Sequence, residues 1–150
     1  MDKPPRKGLS GPVDGNGFES LDGLKVSVDE LVYQPQVLTA PDRPHCFAYY
    51  ITIANETDHT ITLKGRKWVV KESSGEVTAV EGDGLVGEMP TLEPGGSFSY
   101  NSFHVIHSRR AMASGSYIGL DETGRRVLAA IPTFEMVVPD ELGDPEIGYA

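Results

Sequence analysis

The residues with the clearest potential for chemistry form a short glycine-rich string, Gly82-Asp83-Gly84-Leu85-Val86-Gly87. In dinucleotide-binding proteins, glycines at this G-x-G-x-x-G spacing let the backbone approach a pyrophosphate at the start of a helix. A basic side chain such as Arg66 would add a guanidinium that pairs with the same anion. The string therefore suggests a small-anion site made of Gly82, Gly84, Gly87 and Arg66, which would hold pyrophosphate or a nucleotide tail with or without a divalent cation.

The dinucleotide-binding fold itself is excluded by the residues on the C-terminal side of the string. That fold requires a helix to continue from the third glycine within a strand-helix-strand unit. Pro90 and Pro94 interrupt the chain within a few residues, and no crossover helix is available. Two roles stay open for the glycines: they close a tight turn, or they aim several N–H groups at one anion.

Sequence patterns of catalytic and metal sites are missing from the rest of the chain, which contains no nucleophile elbow, no phosphate loop and no H-E-x-x-H. The one acid inside an apolar run, Glu135, falls on the polar face of its strand. His104 and His107 are three residues apart, a spacing that points them to opposite faces of a strand. The single cysteine, Cys46, excludes a Cys-built zinc site and is expected to be a small buried side chain. We predict no enzyme activity, no bound metal and no cofactor.

Charge and hydropathy exclude two classes of partner. The formal net charge is −9, and no basic face is available to neutralise several phosphates, so nucleic acid is not expected as a partner. No apolar run approaches the roughly 20 residues that cross a bilayer, and the first residues lack the apolar segment of a secretion signal. The sequence therefore predicts a cytoplasmic protein without membrane contact.

The elements that must position these residues are strands, because apolar residues recur at every second position, as in Phe47, Tyr49, Ile51 and Ile53. Trp68 is assigned to the core that such strands enclose. Further short strands are predicted over residues 24–28, 60–64, 67–71, 76–80, 97–103, 116–120, 126–131 and 134–138. Turn residues separate these runs, and none of them has helical periodicity. This spacing predicts an all-β, immunoglobulin-like or fibronectin type III-like two-sheet sandwich, with a closed barrel as the alternative.

Composition divides the chain into three parts. Residues 1–23 are rich in glycine and proline and predict a flexible leader. Residues 24–139 carry the strand pattern and form the predicted folded domain. Residues 140–150 contain several acids and few apolar residues, which is typical of an acidic tail.

Taken in order, the motifs of the folded part resemble the ApaG family. The matching segments are 49–55 (YYITIAN), Leu63 with 66–68 (RKW), 82–90 (GDGLVGEMP), 92–95 (LEPG), 98–102 (FSYNS), Met112 with 115–117 (GSY), and 131–134 (IPTF). Together they extend over essentially all of residues 24–139. One departure is the stretch 108–114 (SRRAMAS), which replaces the family's usual pattern and is one residue longer before Gly115.

The resemblance implies a small sandwich domain without established enzyme activity. It also implies a link to cobalt resistance and magnesium homeostasis, protein binding in eukaryotic relatives, and a proposed pyrophosphate site at the glycine string. Our first hypothesis is a non-catalytic module, monomeric or homodimeric, that binds another protein through sheet edges and loops. The alternative hypothesis is a protein that binds pyrophosphate or a nucleotide through the glycine string and Arg66.

Overall fold

The computed structural model describes residues 9–13, 17–35 and 41–140, and these residues form ten strands. The strands are β1 (Leu9–Val13), β2 (Glu19–Leu21), β3 (Leu24–Tyr33), β4 (His45–Asn55), β5 (Ile61–Glu72), β6 (Val77–Asp83), β7 (Thr91–Leu92), β8 (Ser97–Ile106), β9 (Arg110–Asp121) and β10 (Arg126–Val137). No helix in this described part of the chain has the length and hydropathy to cross a membrane.

The strands form two sheets, which confirms the predicted all-β sandwich. The larger sheet has the order β1-β2-β10-β9-β5-β6, with β7 paired to β5, and the smaller sheet has the order β3-β4-β8. All pairings are antiparallel except that of β2 with β10. The two sheets stay separate, so the alternative of a closed barrel is wrong. In consequence β6 and β8 each form the edge of a sheet.

The core lies between the sheets and is built by the alternation seen in the sequence. Phe47, Tyr49, Ile51 and Ile53 on β4 are all buried, as predicted. Trp68 and Cys46 are buried as well. Every second side chain of a half-buried strand points to the same face, so one face of β4 collects Phe47, Tyr49, Ile51 and Ile53 against the opposite sheet.

Two long strands correct the predicted strand boundaries. The sequence predicts separate strands over residues 60–64 and 67–71, but both belong to one strand, β5, with a bulge between Leu63 and Gly65. The segments 126–131 and 134–138 likewise belong to the single strand β10, which bulges between Ile131 and Phe134. A bulge inserts one residue and shifts the alternation to the other parity while backbone pairing continues. The alternation of apolar residues is therefore interrupted at each bulge, although the strand itself continues.

The sheet also extends into the predicted leader. Glu19 and Ser20 on β2 pair with β10, and Leu21 is part of the core, so folded structure begins before residue 24. Burial of Leu21 explains why this short polar stretch is held in place. Residues 1–8 and 14–16 of the leader, and residues 141–150 of the predicted acidic tail, lie outside the described residues.

Candidate functional site

The glycine-rich string is divided between a strand and a tight turn. Gly82 is in β6, directly opposite Arg66 on β5. The Gly84 N–H donates to the Lys64 carbonyl oxygen at 2.7 Å, so this N–H is already used within the protein. The glycines therefore do not form one continuous loop with all of their N–H groups open to a ligand.

The second half of the string is a two-residue hairpin turn. Leu85 and Glu88 exchange backbone hydrogen bonds of 2.7 and 3.2 Å, and the residues between them, Val86 and Gly87, have φ of 51° and 81°. Two consecutive positive φ values are characteristic of a type I′ turn, in which a glycine is readily accommodated. The chain then continues to β7 and not to a helix, in agreement with the exclusion of a dinucleotide-binding fold.

Arg66 contacts the backbone carbonyl groups of the glycine string. The guanidinium Nη1 donates to the carbonyl oxygens of Asp83 and Gly84 at 2.9 and 3.0 Å. The guanidinium also lies against Gly82, where a β-carbon would be 2.7 Å from Nη1. The structure thus brings Arg66 together with Gly82 and Gly84, whereas nothing lies within 4 Å of the position that a β-carbon of Gly87 would take.

A cleft that sequence reasoning did not predict opens between the edge strands β6 and β8, and we call it the side cleft. Its volume is about 360 Å³. Val80 and Phe103 lie on its rim and are exposed by 46% and 58%. The other lining residues are Arg43, Tyr49, Arg66, Trp68, Val70, Glu72, Thr78, Ser102, His104 and Val105.

The bulge in β5 decides which side chains face the side cleft. Before the bulge, Ile61 and Leu63 point into the core. After it, the inward positions have even numbers, so Arg66, Trp68, Val70 and Glu72 share the cleft face. Neighbours in this series lie about 6.7 Å apart along an extended strand. The bulge therefore creates a row that begins with a cation, continues with an aromatic and an aliphatic residue, and ends with a carboxylate.

The floor of the side cleft is aromatic. The rings of Tyr49, Trp68 and His104 pack against one another with centroid distances of 4.6 to 5.0 Å. The Trp68 Nε1 and the His104 Nε2 are buried, and neither makes a well-formed hydrogen bond within the part of the chain that the structure describes, although the Tyr49 hydroxyl lies close to Trp68 Nε1. Most buried polar atoms in proteins are paired, so two unpaired atoms on one cleft floor are unusual.

Burial keeps these floor residues uncharged. It lowers the pKa of His104 to about 4, so the imidazole is neutral at pH 7. Burial also raises the pKa of Tyr49, although hydrogen bonds from Ser102 and Tyr100 and the charge of Arg66 act in the opposite direction. Both groups therefore offer hydrogen-bonding atoms without a charge of their own.

The far end of the side cleft holds the buried carboxylate of Glu72. Its Oε1 accepts from the backbone N–H groups of His107 and Ser108 at 3.0 and 2.8 Å, and its Oε2 accepts from Arg43 at 3.2 Å. Burial acts to raise the pKa of Glu72, but the hydrogen bonds from Ser108 and His107 and the nearby charge of His107 outweigh it, so the pKa lies below its usual value. The negative charge at this end is thus already balanced.

The positive charge of Arg66, at the opposite end of the side cleft, is not balanced in this way. Arg66 takes part in none of the ion pairs formed among the described residues, and the acceptors of its two hydrogen bonds to the glycine string are neutral carbonyl oxygens. The side cleft therefore has one neutralised end and one end with an unbalanced positive charge.

Among the residues that the structure describes, two groups of histidine and carboxylate side chains lie close enough to share a cation: His59 with Asp121 and Glu122, and Glu72 with Glu76 and His107. Both groups already make close contacts between their own side chains, such as His59 Nδ1 to Glu122 Oε2 at 2.8 Å and His107 Nε2 to Glu76 Oε1 at 2.7 Å. Histidine spacing alone could not reveal these groups, because the carboxylates come from other parts of the chain. The expectation that no metal is bound stays a prediction.

The two sheets and the cleft at their open side define a β-sandwich domain with a candidate binding site. The ApaG domain family model (DUF525) matches residues 37–120. Protein ApaG from Shewanella frigidimarina is 37% identical over 116 residues, which are 77% of this chain and 91% of that protein. Protein ApaG from Deinococcus radiodurans is 34% identical over 79% of this chain and 92% of its own length. The chain belongs to the ApaG domain family.

A solved structure agrees with this assignment. The crystal structure of a putative ApaA protein from Bordetella pertussis superposes with a TM-score of 0.71 at 27% identity, over 91% of this chain and 99% of that one. The resemblance detected in the sequence motifs is therefore confirmed at the level of family and fold.

Proposed function

We propose that this protein is a non-catalytic module that binds a segment of a partner protein in the side cleft. One observation carries the proposal: an aromatic-floored cleft opens between the edge strands of two sheets and has exposed apolar residues on its rim. Concave, largely apolar sites with a few polar groups are where proteins bind ligands, and extended peptides dock readily beside sheet edges.

The chemistry of the cleft favours binding over catalysis. The carboxylate of Glu72 is fully engaged by backbone N–H groups and Arg43, so it is poorly placed to exchange protons with a ligand. His104 is neutral at pH 7 and packs between aromatic rings. We extend the proposal to the setting that the family resemblance implies: a cytoplasmic module that affects cobalt and magnesium homeostasis indirectly, through its partner.

Selection of peptides tests this proposal. The full chain is used to select binders from a random 12-residue peptide library. Because Trp68 is the only tryptophan and lies on the cleft floor, its fluorescence reports occupancy directly. We expect selected peptides to change the emission saturably.

Matched variants locate the binding. Val80→Glu places a charge on the cleft rim and should weaken binding at least tenfold. Val137→Glu is the control, since Val137 is exposed to nearly the same extent, 43% against 46%, and does not line the cleft. Equal loss in both variants, or no selected peptide that perturbs Trp68, would contradict the proposal.

The second candidate function is binding of pyrophosphate or a nucleotide, and it is favoured by the unbalanced charge of Arg66. Its test is an NMR titration with pyrophosphate and ATP, with and without Mg²⁺, in which the amide signals of Gly82, Gly84 and Gly87 are followed. Saturable shifts that disappear in Arg66→Ala would support it. The Gly84 N–H would have to leave the Lys64 carbonyl to take part. Absence of shifts at millimolar ligand rejects this candidate.

A further inference from the structure

Two side chains on the cleft face of β5 can donate hydrogen bonds and cannot accept them. Trp68 carries one indole N–H, and Arg66 carries a permanently charged guanidinium. Trp68 is only 2% exposed, and its Nε1 makes no well-formed hydrogen bond within the part of the chain that the structure describes, although the Tyr49 hydroxyl lies close to it. A buried donor without a partner costs free energy, so its presence in a cleft points to a partner from outside.

The two donors act on the same small region. Arg66, Trp68 and Tyr49 all line the side cleft, and the charge of Arg66 and the N–H of Trp68 both oppose the rise in the pKa of Tyr49 that burial causes. Arg66 and Trp68 are two positions apart on one strand face, which is about 6.7 Å along the strand. A carboxylate seated between these two side chains would therefore face both donors.

The distribution of charge gives the cleft a direction. At the end near Glu72, the carboxylate is balanced by Arg43 and by backbone N–H groups. At the opposite end, the charge of Arg66 is met by carbonyl oxygens and by no carboxylate of the described residues. Complementarity thus requires a negative group at the Arg66 end and apolar atoms along Val80 and Phe103.

We propose that the side cleft selects partner segments that carry a carboxylate, from an aspartate or glutamate side chain or from a chain terminus. The carboxylate accepts from Trp68 Nε1 and pairs with the Arg66 guanidinium, while adjoining apolar atoms cover the rim. An ionised carboxylate suits this pair because it only accepts, and its hydrogen bonds to charged donors are strong. This inference rests on the proposed function and specifies the chemistry of the partner.

A pair of small probes tests the inference on the unmodified full chain. The probes are 3-phenylpropionate and its neutral counterpart, 3-phenylpropionamide, and the readout is the single tryptophan indole N–H signal in ¹H–¹⁵N NMR spectra. We expect the carboxylate to shift this signal saturably and to bind at least tenfold more tightly than the amide. Equal binding of both probes would overturn the inference and leave the proposed function standing.

Variants of β5 add a second arm. Arg66→Gln should abolish the preference for the carboxylate, and Arg66→Lys, which keeps the charge, should retain part of it. Lys67→Gln is the matched control, because Lys67 lies on the same strand but does not line the cleft and pairs with Glu81. An unchanged preference in Arg66→Gln would contradict the role of the guanidinium.

Two further outcomes separate the proposals. A shift of the indole signal by inorganic phosphate alone, with an affinity equal to that of 3-phenylpropionate, would show a general oxyanion site and overturn the selection for carboxylates.

Selected library peptides offer the second comparison. Replacement of their acidic residue by its amide should weaken binding at least tenfold. If the selected peptides bind the cleft and contain no acidic group, the inference about the carboxylate is wrong and the proposed function stands. If no peptide or probe reaches Trp68, the proposed function fails with it.

Discussion

The guanidinium of Arg66 lies directly against Gly82 on the neighbouring strand. A β-carbon at position 82 would be 2.7 Å from the Arg66 Nη1, which is closer than real side chains approach. This contact allows the arginine to reach the carbonyl oxygens of Asp83 and Gly84 while it lines the side cleft. The glycine string and the cleft are therefore coupled through a single side chain.

Gly82→Ala should displace the guanidinium and cost about 1 kcal/mol of stability, since hydrogen bonds to two carbonyl oxygens are weakened. Urea denaturation measures this change. In the Arg66→Ala background the same substitution should cost much less, because nothing is left to displace. An equal cost in both backgrounds would show that the new methyl group collides with something other than Arg66.

Gly115→Ala should destabilise the fold by about 3 kcal/mol, because overpacking against backbone is poorly relieved. Gly115 on β9 faces Trp68 on β5, and a β-carbon there would be 2.1 Å from the Lys67 carbonyl oxygen. The free energy of unfolding in urea is the measurement, with Ser116→Ala on the same strand as control, expected within about 0.5 kcal/mol of the parent. A small effect of Gly115→Ala would mean that β9 and β5 separate easily.

Val86→Asn should stabilise the protein by about 1 kcal/mol, because a β-branched residue is strained at positive φ whereas asparagine tolerates this conformation. Val86 has a φ of 51°, and Asn-Gly is a favoured pair in type I′ turns. Thermal unfolding reports the gain as a higher Tm. Val86→Ala serves as the comparison and should gain less, because alanine removes the β-branch but not the strain. No gain in either variant would show that the turn relaxes its backbone.

Acid should weaken the fold through His104. Burial lowers its folded-state pKa from 6.5 to about 4, so the unfolded chain binds the proton more readily between these values. The contribution of His104 is fully present above about pH 6.5 and is lost as the pH falls toward 4, at a cost on the order of 3 kcal/mol. Urea denaturation across this pH range measures the slope.

His104→Phe is the control for this pH dependence. It keeps an aromatic ring against Tyr49 and Trp68 but removes the titration, so the loss of stability between pH 6.5 and 4 should become shallower. Burial also lowers the pKa of His45, so part of the slope is expected to remain in the variant. A slope identical to that of the parent would place the titrating group elsewhere.

The sequence by itself determined the class of fold and the family. Alternation at Phe47, Tyr49, Ile51 and Ile53 predicts half-buried strands, and the order of short motifs predicts the ApaG family, because both signals are local or nearly so. The sequence also predicts that Trp68 belongs to the core, and the structure confirms its burial. The turn at Val86 and Gly87 is one of the two roles that the sequence leaves open for the glycine string.

Only the tertiary structure decided where the candidate site lies. The sequence pattern breaks at Leu63 and at Ile131, and strand continuity through a bulge cannot be distinguished from a strand end without the partner strand. The side cleft joins Trp68 on β5 to His104 on β8, which belong to different sheets and are distant in the chain. Sheet edges and their separation are global properties of strand order, so no local pattern could have placed these two residues together.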